Sequence, residues 1–293
     1  MGVAFVIRPL ESLRTWGRMV KFSHTLFALP FALSGAALAA AESGIRAQQL
    51  GWIVLAMVGA RNAAMSFNRL ADLDYDARNP RTAARELPRG SLSRRAVWAA
   101  TLALAALFVF ASFRLYPLCG WLSPVALAVI LGYSYTKRFT WTSHLLLGLA
   151  LAMAPVGGWL AIRGSFSAVA WSLGAAVLLW VAGFDVIYAC QDVAFARREG
   201  LSSIPARFGV SRSLVIARLL HGGALAALAL VGWLGALHPV YWVGWLLVAA
   251  LLVWEHRLVR TEDMSRLGIA FFNMNGVISV VYLATILAAV WFP

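Results

Sequence analysis

Residues 64–90 have the sequence AMSFNRLADLDYDARNPRTAARELPRG. The segment begins as an apolar helix and then places Asn68, Asp72 and Asp76 at intervals of four residues, followed by a run of arginines. Positions four apart share one face of an α-helix, so these side chains form a polar stripe. A helix C-terminus disfavours carboxylates unless cations compensate for them. The stretch therefore predicts a charged site where a helix leaves its apolar surroundings.

The composition places this helix in a membrane. The chain has 293 residues, of which 61% are hydrophobic and 13% are charged, whereas a soluble domain is closer to half apolar and a quarter charged. The formal net charge of +13 could suggest nucleic acid. The basic residues, however, stand in short clusters between apolar runs, which favours orientation in an anionic membrane. We expect a lipid bilayer as partner, and no nucleic acid.

Nine apolar runs are long enough to cross a bilayer, which takes about 20 residues per helix. We predict an all-α polytopic membrane protein of nine transmembrane helices, forming one integral-membrane domain over residues 1–293. The nine runs cover residues 22–41, 48–71, 96–116, 119–135, 143–162, 166–190, 213–234, 236–254 and 270–292.

The basic residues also predict the orientation of the chain. Most of the 25 Lys and Arg residues fall in the N-terminal arm and in every second connection after it. Cytoplasmic loops carry such an excess of positive charge. We therefore expect the N-terminus in the cytoplasm and the C-terminus outside.

A second polar stripe ends the sixth apolar run. Asp185, Tyr188 and Asp192 lie at i, i+3 and i+7 on one helical face, and the helix count puts them on the same side as the first stripe. Two explanations stay open. The acids are solvated helix ends paired with nearby arginines, or they bind divalent cations through oxygen ligands. Mg²⁺ prefers one or two carboxylates together with water and phosphate oxygens.

Basic residues near both stripes favour the cation site. Arg78, Arg81 and Arg85 follow the first stripe, and Lys137 and Arg138 lie on the same side. Topogenic charge alone would suffice for most of them. Carboxylates, a metal and cationic side chains beside an apolar cavity would nevertheless suit a diphosphate that carries a hydrocarbon tail.

At these residues the sequence resembles the UbiA superfamily of intramembrane aromatic prenyltransferases. The family motif NxxxDxxxD is matched over residues 68–76, and the motif DxxYAxxDxxxD over residues 185–192. The segments KFSHTLFALPFAL (21–33) and GLSSIPARFG (200–209) also look like the family. The resemblance covers essentially the whole chain. It is greatest to the bacterial branch that prenylates hydroxybenzoate or a hydroxynaphthoate.

The resemblance implies nine helices around a central cavity and an enzyme, a prenyltransferase, in the inner (cell) membrane of a bacterium. With Mg²⁺ as cofactor, it would transfer a polyprenyl group from polyprenyl diphosphate to an aromatic acid acceptor, hydroxybenzoate or hydroxynaphthoate, in ubiquinone or menaquinone biosynthesis. Metal and cations would stabilise the leaving diphosphate. The aromatic ring would attack the allylic carbocation in a pocket that is poor in water.

The resemblance also implies roles for individual residues. The implied metal ligands are Asn68, Asp72, Asp76 and Asp192. The implied diphosphate-binding residues are Arg78, Arg81, Lys137 and Arg138. The implied catalytic set is Asp72, Asp76, Asp185, Tyr188 and Asp192. Tyr188 and Asp185 would orient the acceptor or stabilise positive charge. Arg61 would bind the carboxylate of the acceptor, and Tyr188 would contact its aromatic ring. Alternatively, Arg61 would only support the first motif by interacting with Asp72.

Ala196 departs from the family pattern, because the second motif has an aspartate at this position. The change removes a carboxylate that the family would use for one metal, directly or through water. Three outcomes stay open: weaker metal binding with activity retained, compensation by Glu199, or an inactive chain.

Other functions also stay open. An ion- or proton-coupled transporter would place acids in a membrane. Such sites usually lie near the midplane on broken helices, whereas both acidic segments here lie at one face and are followed by arginines. A family member with another acceptor is a second alternative, with a haem precursor, chlorophyllide or a sugar phosphate as examples. A third is a homologue that only binds prenyl lipid.

Overall fold

The computed structural model describes residues 9–20, 28–259, 267 and 274–292. Within these ranges the regular structure is helical throughout, and a single 3₁₀ turn, Cys190–Asp192, follows the eighth α-helix. The α-helices are α1 (Pro9–Met19), α2 (Leu29–Ser43), α3 (Ala47–Ala71), α4 (Leu73–Arg78), α5 (Arg94–Leu115), α6 (Pro117–Thr136), α7 (Ser143–Arg163), α8 (Ala168–Ala189), α9 (Val193–Arg198), α10 (Ile204–Phe208), α11 (Val210–Leu234), α12 (Val240–Leu258) and α13 (Asn275–Trp291).

Each of the nine predicted apolar runs overlaps one of the longer helices. Among the described residues, six helices are long and apolar enough to cross a membrane, and Leu29–Ala41 and Asn275–Trp291 are shorter apolar helices. The prediction of an all-α polytopic membrane protein is thus confirmed, whereas nine crossings stay a prediction. The first and last runs begin at residues 22–27 and 270–273, which lie outside the described residues.

In the part of the chain that the structure describes, the nine long helices form a ring. Neighbours in the chain pack side by side, and α13 closes the ring against α2. A further contact between α2 and α7 divides the ring into two parts. One part is filled by an apolar core from α2, α8, α11, α12 and α13, in which the rings of Trp180 and Tyr282 meet Phe31. The other part holds a cavity.

Small residues let α2 and α7 approach each other closely. A Cβ atom added to Gly35 would lie 2.1 Å from the carbonyl oxygen of Pro155, and one added to Gly158 would lie 2.1 Å from that of Ala32. Helices in membranes pack through such residues because lipid is as apolar as the helix surface and provides no hydrophobic drive. This contact fixes one wall of the cavity.

We expect Gly158→Val to destabilise the protein by about 1–3 kcal/mol, the usual cost of overpacking. The neighbouring Gly157→Ala is the control, because a Cβ atom there meets nothing within 4 Å, and alanine is favoured over glycine in a helix by about 1 kcal/mol. The measurement is the melting temperature of both variants in detergent. Equal melting temperatures would contradict the close contact of α2 and α7.

The polar connections after α3, α6 and α8 meet at one end of the bundle, which we call the charged end. Arg78 lies 2.9 Å from Glu199, and the backbone N–H of Ser202 donates to the carbonyl oxygen of Lys137 at 2.7 Å. The three basic connections therefore lie on one side, as the helix count predicted.

Candidate active site

A cavity of about 970 Å³ begins among the ionised side chains of the charged end and extends between α3, α5, α6, α7 and α8. Along α7 its lining runs from Ser143 to Leu160, a distance of about 25 Å at 1.5 Å per residue. Away from the charged end the lining is mostly apolar, with residues such as Phe108, Ile130 and Leu178. The cavity thus suits a molecule with an anionic head and a long apolar tail.

The first motif lies where α3 gives way to the short helix α4. Asp72 has φ −95° and ψ 1°, which interrupts the helix, and Asp76 follows within α4. The backbone bonds Asp72 N–H to Asn68 O (2.9 Å) and Asp76 N–H to Asp72 O (2.7 Å) continue across the break. All three side chains therefore line the cavity, and the Asn68 amide donates to the Asp72 carboxylate at 3.2 Å.

The second motif repeats this arrangement at the end of α8. Asp185 and Tyr188 belong to α8, and Asp192, with φ −106° and ψ 11°, precedes the six-residue helix α9. Asp72 and Asp192 thus each lie at an interruption between a long helix and a short one. All three side chains of this motif line the same cavity as the first motif, so the structure brings the two sequence stripes together.

Three of the motif carboxylates each hold one cationic side chain. Lys137 Nζ lies 2.6 Å from Asp72 Oδ2. Arg85 Nη1 lies 2.8 Å from both carboxylate oxygens of Asp76. A third cation, Arg81, binds Asp192 through Nε at 3.0 Å and Nη2 at 2.5 Å. The site is therefore close to neutral despite its density of charge.

Arg81 links both halves of the second motif. Its Nη1 group donates to the Tyr188 hydroxyl at 2.9 Å, and its guanidinium lies over the Tyr188 ring. Burial lowers the pKa of Arg81, but the hydrogen bond to Asp192 and the interaction with Tyr188 outweigh it, so that the pKa is raised above its usual value. Arg81 is accordingly a permanent cation in the cavity.

The donor groups of this site fit a divalent metal. Asp72 is buried, and its Oδ1 atom has no hydrogen-bond partner, so a buried anionic oxygen is left for a cation. The motif ligands are all oxygens, which Mg²⁺ prefers. Among the described residues no three His, Cys, Asp or Glu side chains converge as a ready metal site, and Asp72, Asp76 and Asp192 are each paired with a cationic side chain. Asn68 and these three aspartates are the residues that would hold the metal.

Two of the four residues assigned to the diphosphate from the sequence lie elsewhere. Arg78 pairs with Glu199, and Arg138 donates to the carbonyl oxygen of Ala71 and lies over the ring of Tyr75. Neither arginine lines the cavity, whereas Arg81 and Lys137 do. Arg78 and Arg138 thus tie the connections of the charged end to one another.

Arg61 lines the cavity, as its assignment to the acceptor requires. Its Nη1 group donates to the carbonyl oxygen of Val20 at 2.9 Å and to the side chain of Asn62 at 3.1 Å. The bond to Val20 attaches α3 to the end of α1.

Two cations that line the cavity were not among the residues assigned to it from the sequence. Arg85 lines the cavity, and its guanidinium group donates to the Asp76 carboxylate. Arg69 also lines the cavity and is 6% exposed, and its Nε atom is buried without a hydrogen-bond partner. The spacing in the sequence could have predicted this position for Arg69. It precedes Asp72 by three residues and Asp76 by seven, and it therefore shares their helical face. A buried guanidinium without a full set of acceptors is unfavourable, and its place in the cavity suits an anionic ligand.

The position of Ala196 bears on the missing aspartate of the second motif. Ala196 is buried, lines the cavity and lies one helical turn beyond Asp192. Glu199 does not line the cavity and pairs instead with Arg78 at 2.9 Å and Arg198 at 3.6 Å. The described contacts thus give no support to compensation by Glu199.

Asp185 differs from the other three acids of the cavity in its partner. Its Oδ2 atom lies 2.6 Å from Nδ1 of His144, at the first turn of α7. His144 is buried, and its other ring nitrogen, Nε2, accepts a hydrogen bond from the backbone N–H of Ile204 at 3.3 Å. No local sequence pattern predicts this pair, because its two residues are 41 positions apart.

The chain is similar to known proteins in sequence and in fold. The UbiA prenyltransferase family matches residues 28–277. A curated 4-hydroxybenzoate octaprenyltransferase from Aromatoleum aromaticum is 30% identical over 239 residues, 82% of this chain and 81% of that protein. The apo structure of a UbiA homolog from Aeropyrum pernix K1 superimposes with a TM-score of 0.81 at 34% identity, over 91% of this chain and 98% of that one.

A more distant likeness shows the same fold. A UbiA homolog from Archaeoglobus fulgidus, whose structure was solved bound to GPP and Mg²⁺, has a TM-score of 0.76 at 19% identity, over 94% of this chain and 99% of that one. The helical fold of this chain is therefore shared with solved structures.

Proposed function

The chain belongs to the UbiA prenyltransferase family, and on that premise we propose that it transfers a polyprenyl group from its diphosphate to 4-hydroxybenzoate. It is thus a membrane-embedded enzyme, a prenyltransferase, and the acceptor is the one named for the relative from Aromatoleum aromaticum. One observation carries the proposal. The carboxylates of Asp72, Asp76 and Asp192, each paired with a cationic side chain, lie at the charged end of a long apolar cavity.

We propose that the diphosphate binds by exchange of ion pairs. Lys137, Arg81 and Arg85 are bound to carboxylates. On binding of the diphosphate they would exchange these partners for phosphate oxygens, which guanidinium groups bind well. The carboxylates they release, with Asn68, would hold Mg²⁺. When bound, Mg²⁺ supplies a Lewis acid that stabilises charge on the leaving diphosphate. Arg85 thus replaces Arg78 and Arg138 in the diphosphate-binding set.

The apolar part of the cavity would hold the prenyl tail. Its lining excludes water from the allylic carbon, and water would otherwise quench a carbocation formed there. Because the lining extends about 25 Å along α7, a tail of several isoprene units can lie within the bundle. Chain length is then set by the donor that the membrane supplies.

For the acceptor we propose the region between Arg69, Tyr188 and Asp185. Arg69 offers a buried cation to an anionic group of a substrate. Tyr188 is held by Arg81 and offers a ring face and a hydroxyl group. Arg61 is already bonded to Val20 and Asn62, so we assign it to fixing α3 against α1 and to the cavity wall.

We also propose the site in the cell. The charged end carries the basic connections after α3, α6 and α8, and excess positive charge marks the cytoplasmic side. The active site would then open toward the cytoplasm of a bacterial inner membrane, with the N-terminus inside and the C-terminus outside.

The test is prenyl transfer by the purified protein with Mg²⁺ and geranyl or farnesyl diphosphate. 4-Hydroxybenzoate and dihydroxynaphthoate are the acceptors, and EDTA is added to a parallel sample. We expect a prenylated hydroxybenzoate that is lost with EDTA. We expect Ala196→Asp to lower the Mg²⁺ concentration for half-maximal activity by about tenfold, as for a gained metal-site contact, because the new carboxylate would lie one turn from Asp192.

If only dihydroxynaphthoate gives product, the acceptor is a hydroxynaphthoate, and the proposal of prenyl transfer is retained. If neither the wild type nor the Ala196→Asp variant forms product, and neither binds the diphosphate in a Mg²⁺-dependent manner, the prenyltransferase proposal is overturned. An ion-coupled transporter would then be the function to test.

A further inference from the structure

The four acids that line the cavity fall into two kinds. Asp72, Asp76 and Asp192 are each paired with a lysine or arginine. For Asp185 the described structure gives a different partner, the imidazole of His144. A carboxylate on a permanent cation is a poor proton acceptor, because the cation stabilises its ionised form. The state of His144 therefore decides what Asp185 can do.

The hydrogen bonds of His144 fix its tautomer. A backbone N–H can only donate, so Nε2, which receives the N–H of Ile204 at 3.3 Å, must carry no proton. The ring proton of a neutral imidazole then lies on Nδ1, where it points to Asp185 Oδ2 at 2.6 Å. His144 is accordingly a neutral donor, and Asp185 is the acceptor of this bond.

This geometry leaves one oxygen of Asp185 for a substrate. Oδ2 is engaged by His144, and among the described residues no hydrogen bond reaches Oδ1. The Asp185 side chain is 23% exposed, against 4% for His144, and it lines the cavity one turn before Tyr188. A carboxylate held by a neutral donor on one oxygen, with the other facing a cavity, has the arrangement of an oriented general base.

We propose that His144 is a positioning residue that holds Asp185 as the base for the ring proton of the aromatic acceptor. This inference rests on the proposed function. The C–O bond of the prenyl diphosphate breaks, and its electron pair leaves with the diphosphate. A π pair of the acceptor ring forms the new C–C bond. Asp185 then takes the proton from that ring carbon, and the pair of the broken C–H bond restores the aromatic ring. No oxidant or reductant is needed.

The experiment compares 4-hydroxybenzoate with the same acid deuterated at the ring carbons beside the hydroxyl group. Transfer is measured for the wild type, His144→Phe, His144→Asn and Asp185→Asn. In the wild type we expect equal rates for both acceptors, because a positioned base removes the proton quickly. In His144→Phe we expect kcat to fall about tenfold, because Asp185 would lose its orientation and with it part of the rate that a positioned base contributes. We also expect the deuterated acceptor to react more slowly than the protonated one in this variant.

The remaining variants separate positioning from structure. His144→Asn keeps a donor toward Asp185, and we expect it to recover most of kcat and to lose the isotope effect. Asp185→Asn removes the base, and we expect a fall of about 10²-fold in kcat with the largest isotope effect. The KM for prenyl diphosphate should stay unchanged in His144→Phe, because the ion pairs of the diphosphate site do not include His144.

Two results would overturn the inference alone. One is full activity in His144→Phe, and the other is a loss of activity in His144→Phe and Asp185→Asn with no isotope effect in either, which would show a structural role. If His144→Phe does not fold, the isotope effect of Asp185→Asn decides by the same criterion. Absence of transfer in the wild type would overturn the proposed function, and the inference with it.

Discussion

Asp72→Asn is expected to lower kcat/KM for prenyl transfer by about 10²- to 10³-fold, the usual cost of removing one group that stabilises charge in a transition state. Asp72 is buried at the interruption after α3, its Oδ2 atom holds Lys137 at 2.6 Å, and its Oδ1 atom has no partner. Asparagine keeps the shape but removes the negative charge. The variant would therefore lose both a metal ligand and the anion that holds Lys137 in place.

The matched control is Asp74→Asn, in the same short segment. The Asp74 side chain is 81% exposed and lies 3.9 Å from Arg94, and an exposed pair of this kind contributes about 0–1 kcal/mol. We expect its activity to stay within about twofold of the wild type. The measurement is the transfer rate as a function of Mg²⁺ concentration. Equal activities of Asp72→Asn and Asp74→Asn would show that Asp72 does not hold the metal.

The sequence predicted the elements that carry the site because both motifs are local. Apolar runs of about 20 residues specify the helices, and spacings of three and four residues bring side chains to one face. What the pattern could not predict is the interruption at Asp72 and at Asp192. Neither site contains the proline or glycine that usually marks a helix break, and the two short helices that follow are fixed by contacts across the charged end.

The ion pairs of the site were beyond local patterns for a related reason. Asp192 and Arg81 are separated by 111 positions, and Asp72 and Lys137 by 65. The sequence therefore named four cations for the diphosphate without a means to rank them. Their positions differ in the structure: Arg81 and Lys137 line the cavity, while Arg78 and Arg138 are bonded to Glu199 and to the Ala71 carbonyl.

The second large effect is expected at Arg69. We expect Arg69→Met to lower kcat/KM by about 10- to 100-fold, because a hydrogen bond to a charged group contributes about 1.5–3 kcal/mol. The same substitution should raise the melting temperature of the substrate-free protein. Arg69 is 6% exposed and its Nε atom has no partner, so methionine of similar length would remove a buried polar atom that costs about 1–3 kcal/mol.

A loss of activity joined to a gain in stability distinguishes a binding role from a structural one, since proteins often hold destabilising groups at functional sites. The melting temperature in detergent gives the stability, and the KM values of the two substrates show which anion Arg69 meets. If it meets the acceptor carboxylate, the wild type should prefer 4-hydroxybenzoate over phenol, and Arg69→Met should lose that preference while the KM for prenyl diphosphate stays unchanged. If it meets the diphosphate, the KM for that substrate rises and the preference stays. A variant that is less stable and equally active would contradict both, and Arg69 would then be a structural cation of the aspartate cluster.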